Sequence, residues 1–249
     1  MGSEESSISN GVNLCVSNGM DVFLFERQIF TGFVEEDNAL YYYDQSGNLL
    51  KGNIRVGNVL YKTNNQGKII ESHVQNVKYF CQQDSRWANQ IVGGAYFGPT
   101  GCVPTVITMY MNYLNGENRT PVDWGRELNQ HGLYNYSVMG AGGDVWNYIA
   151  KKYNRKVTTN MNLSQLKMAL LQGKVVPTAV GPGKFCPAGY THEILIHSLD
   201  SSGNVYVLDP LVPGNNGWYP LSRLFEQRSQ DRLDWYDKSN NLSTFVTLQ

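Results

Sequence analysis

Charge is scarce in this chain. Only 16% of its 249 residues are Asp, Glu, Lys or Arg, and the formal net charge is -1. A protein that grips nucleic acid through a basic face needs a cationic excess, and none is present. Long apolar runs are also missing, since no stretch reaches the roughly 20 residues that span a bilayer. The four cysteines, Cys15, Cys81, Cys102 and Cys186, form no CxxC and no Cys/His pair at metal-ligand spacing, which argues against a structural zinc site. Four scattered cysteines in a chain of this length do not make a disulfide scaffold either. Histidine is rare as well, with four in all. What is plentiful is hydrophobic residues, at 41%, enough for a folded core. The opening MGSEESS reads as an expression leader joined to an excised segment, so the lack of a signal peptide carries little weight.

Residues 1–72 read differently from the rest. Gly11, Gly32 and Gly52 each open a unit of about 20 residues. The second unit, GFVEEDNALYYYDQSGNLLK, and the third, GNIRVGNVLYKTNNQGKIIE, share an aromatic centre followed by a glycine turn, QSGN or NQGK. Each predicts a short hairpin of an aromatic strand, a glycine turn and a second strand, stacked because one hairpin cannot bury its own face. These units resemble the choline- and glucan-binding repeats of Gram-positive surface proteins. That resemblance implies cell-wall carbohydrate as a partner and a secreted or cell-surface location. All five tryptophans lie at Trp87 or beyond, so the tryptophan cage of such repeats is missing. Phe33, Tyr41, Tyr42, Tyr43 and Tyr61 are left either to stack on a sugar or to pack the hairpins.

The stretch GPTGCVPTVITMYMNYLNG places a thiol at a helix mouth. Val103, Val106, Ile107, Tyr110, Met111 and Leu114 follow Cys102 at the spacing of one buried helix face. Pro104 falls in the first turn, where a missing N–H costs nothing, and Asn115-Gly116 supplies the stop. The free N–H groups of a helix start favour a thiolate, and Gly101 is expected to let a substrate backbone approach closely. The same features also fit a buried small hydrophobe at the start of a helix.

A cysteine nucleophile needs a base. His73 falls in a linker and His131 in a Gly/Asn-rich loop. His192 opens the apolar strand THEILIHSLD, which the turn SSGN joins to VYVLDP. On an even-length loop Asp209 shares a sheet face with His192 and can orient its ring. Direct opposition of the two centres the turn on Asp200-Ser201. A turn on SSGN instead leaves Asp209 four residues from the partner of His192, about 13 Å away at strand rise. The pair therefore demands a tighter turn, a bulge or a shifted register. Upstream, in CQQDSRWANQ, the Gln82 amide is a donor suited to an oxyanion hole beside the Cys102 N–H.

The order Gln, Cys, His, Asp is that of papain-like peptidases. Gln82, Asp84, Trp87 and Ala88, then Gly101, Cys102, Pro104 and Thr105, then His192, then Asp209-Pro210, resemble the bacteriocin-processing, double-glycine-peptidase-like cysteine peptidases of family 39, and among them the stand-alone secreted relatives. The resemblance covers about residues 77–248. It departs from the family at Thr191, Glu193 and His197, around and along the histidine strand, and at Cys81 before the glutamine. It implies an α+β papain-like fold over residues 73–249, with a helical half carrying Cys102, an antiparallel half carrying His192 and Asp209, and a cleft between them. It also implies hydrolysis of a peptide or protein substrate with no cofactor and no metal. A peptidoglycan amide hydrolase or acyl transferase using the same residues, and a non-catalytic surface-binding protein on the same scaffold, are the alternatives.

Overall fold

The computed structural model describes residues 8–17, 21–159, 162–236 and 244–249, with side chains from residue 29 onward. The first part is all strand. β1 (Ile8–Ser17) pairs with β2 (Asp21–Phe30), and β3 (Gly32–Glu36) pairs with β4 (Ala39–Tyr43). β5 (Asn53–Val56), β6 (Val59–Thr63) and β7 (Ile69–Val74) follow as an antiparallel meander. The first unit, opened by Gly11, falls on β1 and β2, outside the described side chains.

The second unit turns where sequence reasoning did not expect it. The β3–β4 hairpin closes at Asp37-Asn38, whose φ values of 49° and 58° are both left-handed. That is the geometry of a two-residue hairpin turn, and Asp and Asn tolerate it better than other side chains. The aromatic segment is therefore the second strand of its hairpin. The expected QSGN turn yields one bridge, Tyr43 to Leu49. In the third unit the turn after the aromatic strand does form, between β6 and β7. Phe33 packs edge-on against Tyr42 at 4.9 Å and Tyr61 at 5.2 Å. Tyr61 is buried and its hydroxyl donates to the Gln172 carbonyl at 3.0 Å, so this ring fills a core and has no face for a sugar.

β7 runs across the boundary expected between residues 72 and 73. His73 is thus a strand residue, bonded to Glu71 at 3.1 Å, and not part of a linker. Ser72 pairs with Leu199 in the main sheet, and its hydroxyl donates to the Leu170 carbonyl at 2.6 Å. The third unit is consequently continuous with the larger body.

That body is α+β. A small ribbon, β8 (Ile91–Val92) with β9 (Ala95–Tyr96), leads into α1 (Phe97–Thr100), α2 (Cys102–Asn115), α3 (Pro121–Gln130) and α4 (Val145–Lys152). Next come β10 (Val157–Thr158), α5 (Leu163–Leu171), β11 (Val176–Val180), β12 (His192–Leu199), β13 (Asn204–Leu208), β14 (Gly217–Pro220), α6 (Leu221–Glu226) and β15 (Thr247–Leu248). The main antiparallel sheet runs β14-β13-β12-β7-β6-β5, and β11 lies beside the first part of β12. α2 packs on β11 and β12. Its first ten residues are nearly all buried, including Thr105, Thr108 and Met109, so it is a central helix rather than the one-faced helix expected. The two threonine hydroxyls are satisfied within the helix, donating to the carbonyls of Gly101 (2.7 Å) and Pro104 (2.8 Å).

β12 carries one extra residue. Leu199 pairs with Val205 and His197 with Tyr206, leaving Ser198 bulged at φ 60°. The turn itself spans Asp200 to Asn204, whose backbones bond at 2.9 Å, so the loop has odd length and not the even length expected. Without the bulge, Asp209 would pair opposite Leu195 and face away from His192. With it, the register continued from Leu195↔Leu208 sets Asp209 opposite Ile194, on the His192 face and two residues from directly opposite. The Ser198 hydroxyl accepts the Val74 N–H at 2.9 Å and bonds His197 Nδ1 at 2.8 Å. Ser198→Ala leaves the buried Val74 N–H without an acceptor. It is expected to lower unfolding free energy by about 1–3 kcal/mol, measured by urea denaturation.

Candidate active site

Cys102 is the first residue of α2, after Gly101 at the N-cap. The reason for glycine at 101 differs from the one expected. A Cβ there would sit 2.5 Å from the Phe97 ring and 2.7 Å from the Phe97 carbonyl oxygen. Gly101 is bare because Phe97 is packed against it, and close approach by a substrate is not needed to explain it.

His192 begins β12 and is 5% exposed. Its Nε2 bonds Asp209 Oδ1 at 2.8 Å, and the ring lines the same cleft as the Cys102 thiol. With Nε2 occupied, Nδ1 is the atom left for sulfur. Burial opposes a charge on this ring. The hydrogen bond to Asp209 and the neighbouring Cys102 thiol, with the negative charge of each, outweigh it and carry the His192 pKa up to about 9. The other histidines are engaged elsewhere. His131 packs on Tyr148 at 4.5 Å between ring centroids, and burial pushes His197 down to about 4.

Asp209 is fully buried and surrounded by donors. Besides His192, its Oδ1 accepts from the N–H groups of Leu211 (2.8 Å) and Val212 (3.2 Å), and its Oδ2 from Asn215 Nδ2 (2.8 Å). Its own N–H donates to Asn216 Oδ1 at 2.8 Å, and its carbonyl accepts from the Tyr79 hydroxyl at 2.8 Å. Burial tends to raise its pKa. The His192 contacts, Asn215 and the Leu211 N–H overcome this and hold it below the ordinary carboxylate value. Sequence reasoning missed Tyr79, Asn215 and Asn216. The turn-rich PLVPGNN after Asp209 was the available signal.

Gln82 is 1% exposed. Its backbone N–H donates to the Pro210 carbonyl at 2.7 Å, beside Asp209, and its Nε2 donates to the Gly98 carbonyl at 2.6 Å. An amide nitrogen has two protons, so one is left over. The neighbouring motif residues build the turn that holds it. Trp87 Nε1–H donates to the Cys81 carbonyl at 2.9 Å, and Arg86 pairs with Asp84 at 2.7 Å while lying over the Trp87 ring. Gln82, Cys102 and His192 line one cleft of about 960 Å³. Cys186 lines it too, with its thiol pushed up to about 11 by burial and by the charges of Cys102, Asp234 and Asp209.

A thiol, an imidazole and a buried carboxylate in series, opening on a cleft beside an amide, make an arrangement that can carry out acyl transfer. The model of the Peptidase_C39 like family matches residues 74–239, about two thirds of the chain. The chain belongs to that family. Peptidase_C39-like proteins are cysteine peptidases, so the membership gives hydrolase chemistry at the family level. No curated protein matches the chain. Among the described residues no helix is long and apolar enough to cross a membrane.

The His192–Asp209 pair ties stability to pH. The His192 share is complete below about pH 6.5, the ordinary imidazole value, and is lost as pH rises through about 9. The Asp209 share is present above the ordinary carboxylate value of about 4 and is lost as pH falls through its depressed folded value. In the folded protein the His192 ring signals are expected to titrate at about 9 by NMR. Asp209→Ala is expected to bring that titration down.

Proposed function

We propose that the chain is a papain-like cysteine peptidase acting through Cys102, His192 and Asp209, with Gln82 in the oxyanion hole. The observation that carries this reading is the 2.8 Å bond from the His192 ring to buried Asp209, on a ring that lines one cleft with the Cys102 thiol. In the proposed reaction the Cys102 sulfur, its proton held on His192, attacks the peptide carbonyl carbon. A C–S bond forms and the carbonyl electron pair moves to oxygen. The free Nε2 proton of Gln82 and the Cys102 N–H stabilise that oxyanion. The tetrahedral adduct collapses, the C–N bond breaks, and His192 gives its proton to the leaving amine. Water, deprotonated by His192, then hydrolyses the thioester and frees the thiol. Asp209 holds the ring in the required tautomer throughout.

A secreted or surface location, and wall carbohydrate as a ligand of the first hairpins, belong to the same proposal. They rest on the likeness of residues 1–72 to wall-binding repeats.

Cys102→Ala and His192→Ala are expected to abolish peptide hydrolysis. Asp209→Ala is expected to keep a measurable rate, reduced by about 10²- to 10⁴-fold, since an orienting group transfers no proton. One equivalent of iodoacetamide at neutral pH is expected to alkylate Cys102 ahead of Cys186, as read by peptide mass spectrometry. Alkylation of Cys186 with Cys102 untouched would favour the inert scaffold.

A further inference from the structure

Glu193 is a buried acid with one carboxylate oxygen left unpartnered. It follows His192 on β12, is 6% exposed, and its Oε1 has no hydrogen-bond partner. It lines the same cleft as Cys102 and His192. A buried carboxyl without a donor is costly, and an open cleft is where a donor can arrive from outside. Asp234 lines the cleft as well and is fixed in place by the hydroxyls of Ser229 and Thr191. Burial and the nearby Asp234 push the Glu193 carboxyl well above its ordinary value. A cation entering the cleft would reverse that balance, because an opposite charge favours the ionised form.

The rest of the lining favours the same class of ligand. Among the described residues that line the cleft, Arg228 is the one arginine and no lysine occurs. One Arg228 N–H donates to the Phe225 carbonyl at 2.9 Å, and the guanidinium lies over the Phe225 ring. Phe185 and Leu233 offer apolar surface to an aliphatic stem. Among the described residues no group of three or more potential ligands is placed to hold a metal ion, which leaves an organic cation. Glu193 follows His192 on β12, and both line the cleft that holds the Cys102 thiol.

We propose that Glu193 and Asp234 form a subsite for a cationic group of the substrate peptide, within two residues of the bond that Cys102 attacks. This rests on the peptidase reading above. A peptide brings such a group either as a lysine or arginine side chain or as its N-terminal ammonium.

The test is a cleavage-site profile. The parent protein is incubated with a proteome-derived peptide library, once with free and once with acetylated N-termini, and the new ends are read by mass spectrometry. Lysine and arginine within two residues of the cut are expected at about tenfold enrichment, the worth of one charged hydrogen bond. Enrichment that persists after acetylation identifies the side chain as the source. Cuts confined to the first two bonds and lost on acetylation identify the ammonium. Glu193→Gln and Asp234→Asn are each expected to flatten the profile, and because the profile is a ratio within one sample, lower overall activity does not mimic that effect. A flat parent profile, or a preference that survives in the variants, overturns the subsite and leaves the peptidase reading intact. Absence of all cleavage, with Cys102 still open to iodoacetamide, removes the peptidase reading and this subsite with it.

Discussion

One extra residue in β12 decides which face of the sheet Asp209 occupies. Side chains alternate along a strand, so a one-residue slip moves a whole strand's side chains to the other face. The hairpin turn between β12 and β13 is of odd length and would by itself point Asp209 away from His192. The bulge at Ser198 cancels that parity. Ser198 is held in its left-handed conformation by what its hydroxyl touches, above all the N–H of Val74 at the end of β7. A strand that looks in sequence like the tail of a separate repeat region therefore fixes the register of the candidate site. The family match begins at residue 74, at the last residue of that strand.

The other end of the pair is set by a second remote segment. Residues 79–82 reach the loop after β13 twice, through the Tyr79 hydroxyl on the Asp209 carbonyl and the Gln82 N–H on the Pro210 carbonyl. The Gln82 side chain also ties to Gly98, four residues before Cys102. One short segment thus touches both the strand end bearing Asp209 and the approach to the helix bearing Cys102. The spacing of Asp84 and Trp87 in the motif serves this end, because with Arg86 between them these residues make the turn that presents Gln82.

Local features of this fold were legible and long-range ones were not. Cys102 at a helix start, Gly116 as its stop and His192 at the head of an apolar strand follow from local periodicity and turn chemistry. The Ser198 bulge depends on an N–H 124 positions away in sequence, which no local pattern reveals. The burial of α2 on every side was hidden by Thr105 and Thr108. These look like a polar face until their hydroxyls are seen bonding back to their own helix. The Asp37-Asn38 turn was passed over because a stronger glycine signal lay eight residues on. Gly101 was legible as a required glycine, but its reason, the Phe97 ring, belongs to tertiary packing.

Two buried carboxyl groups and one half-buried one near the same thiol are sorted by the donors each can reach. Asp209 has four, from His192, Leu211, Val212 and Asn215, and is held ionised. Asp234 has two hydroxyls, too few to offset its burial, and its pKa is raised. Glu193 Oε1 has none, and the Glu193 carboxyl is displaced upward furthest from the ionised state. Backbone geometry keeps these roles from mixing. Glu193 is the immediate neighbour of His192 on β12, where successive side chains diverge, although both border the cleft. Asp209 comes from another strand, across the bulge, onto the face where the ring is. The same functional group can then serve as a counter-ion behind the imidazole and, one residue along β12, as an acid whose ionised form an approaching cation would favour.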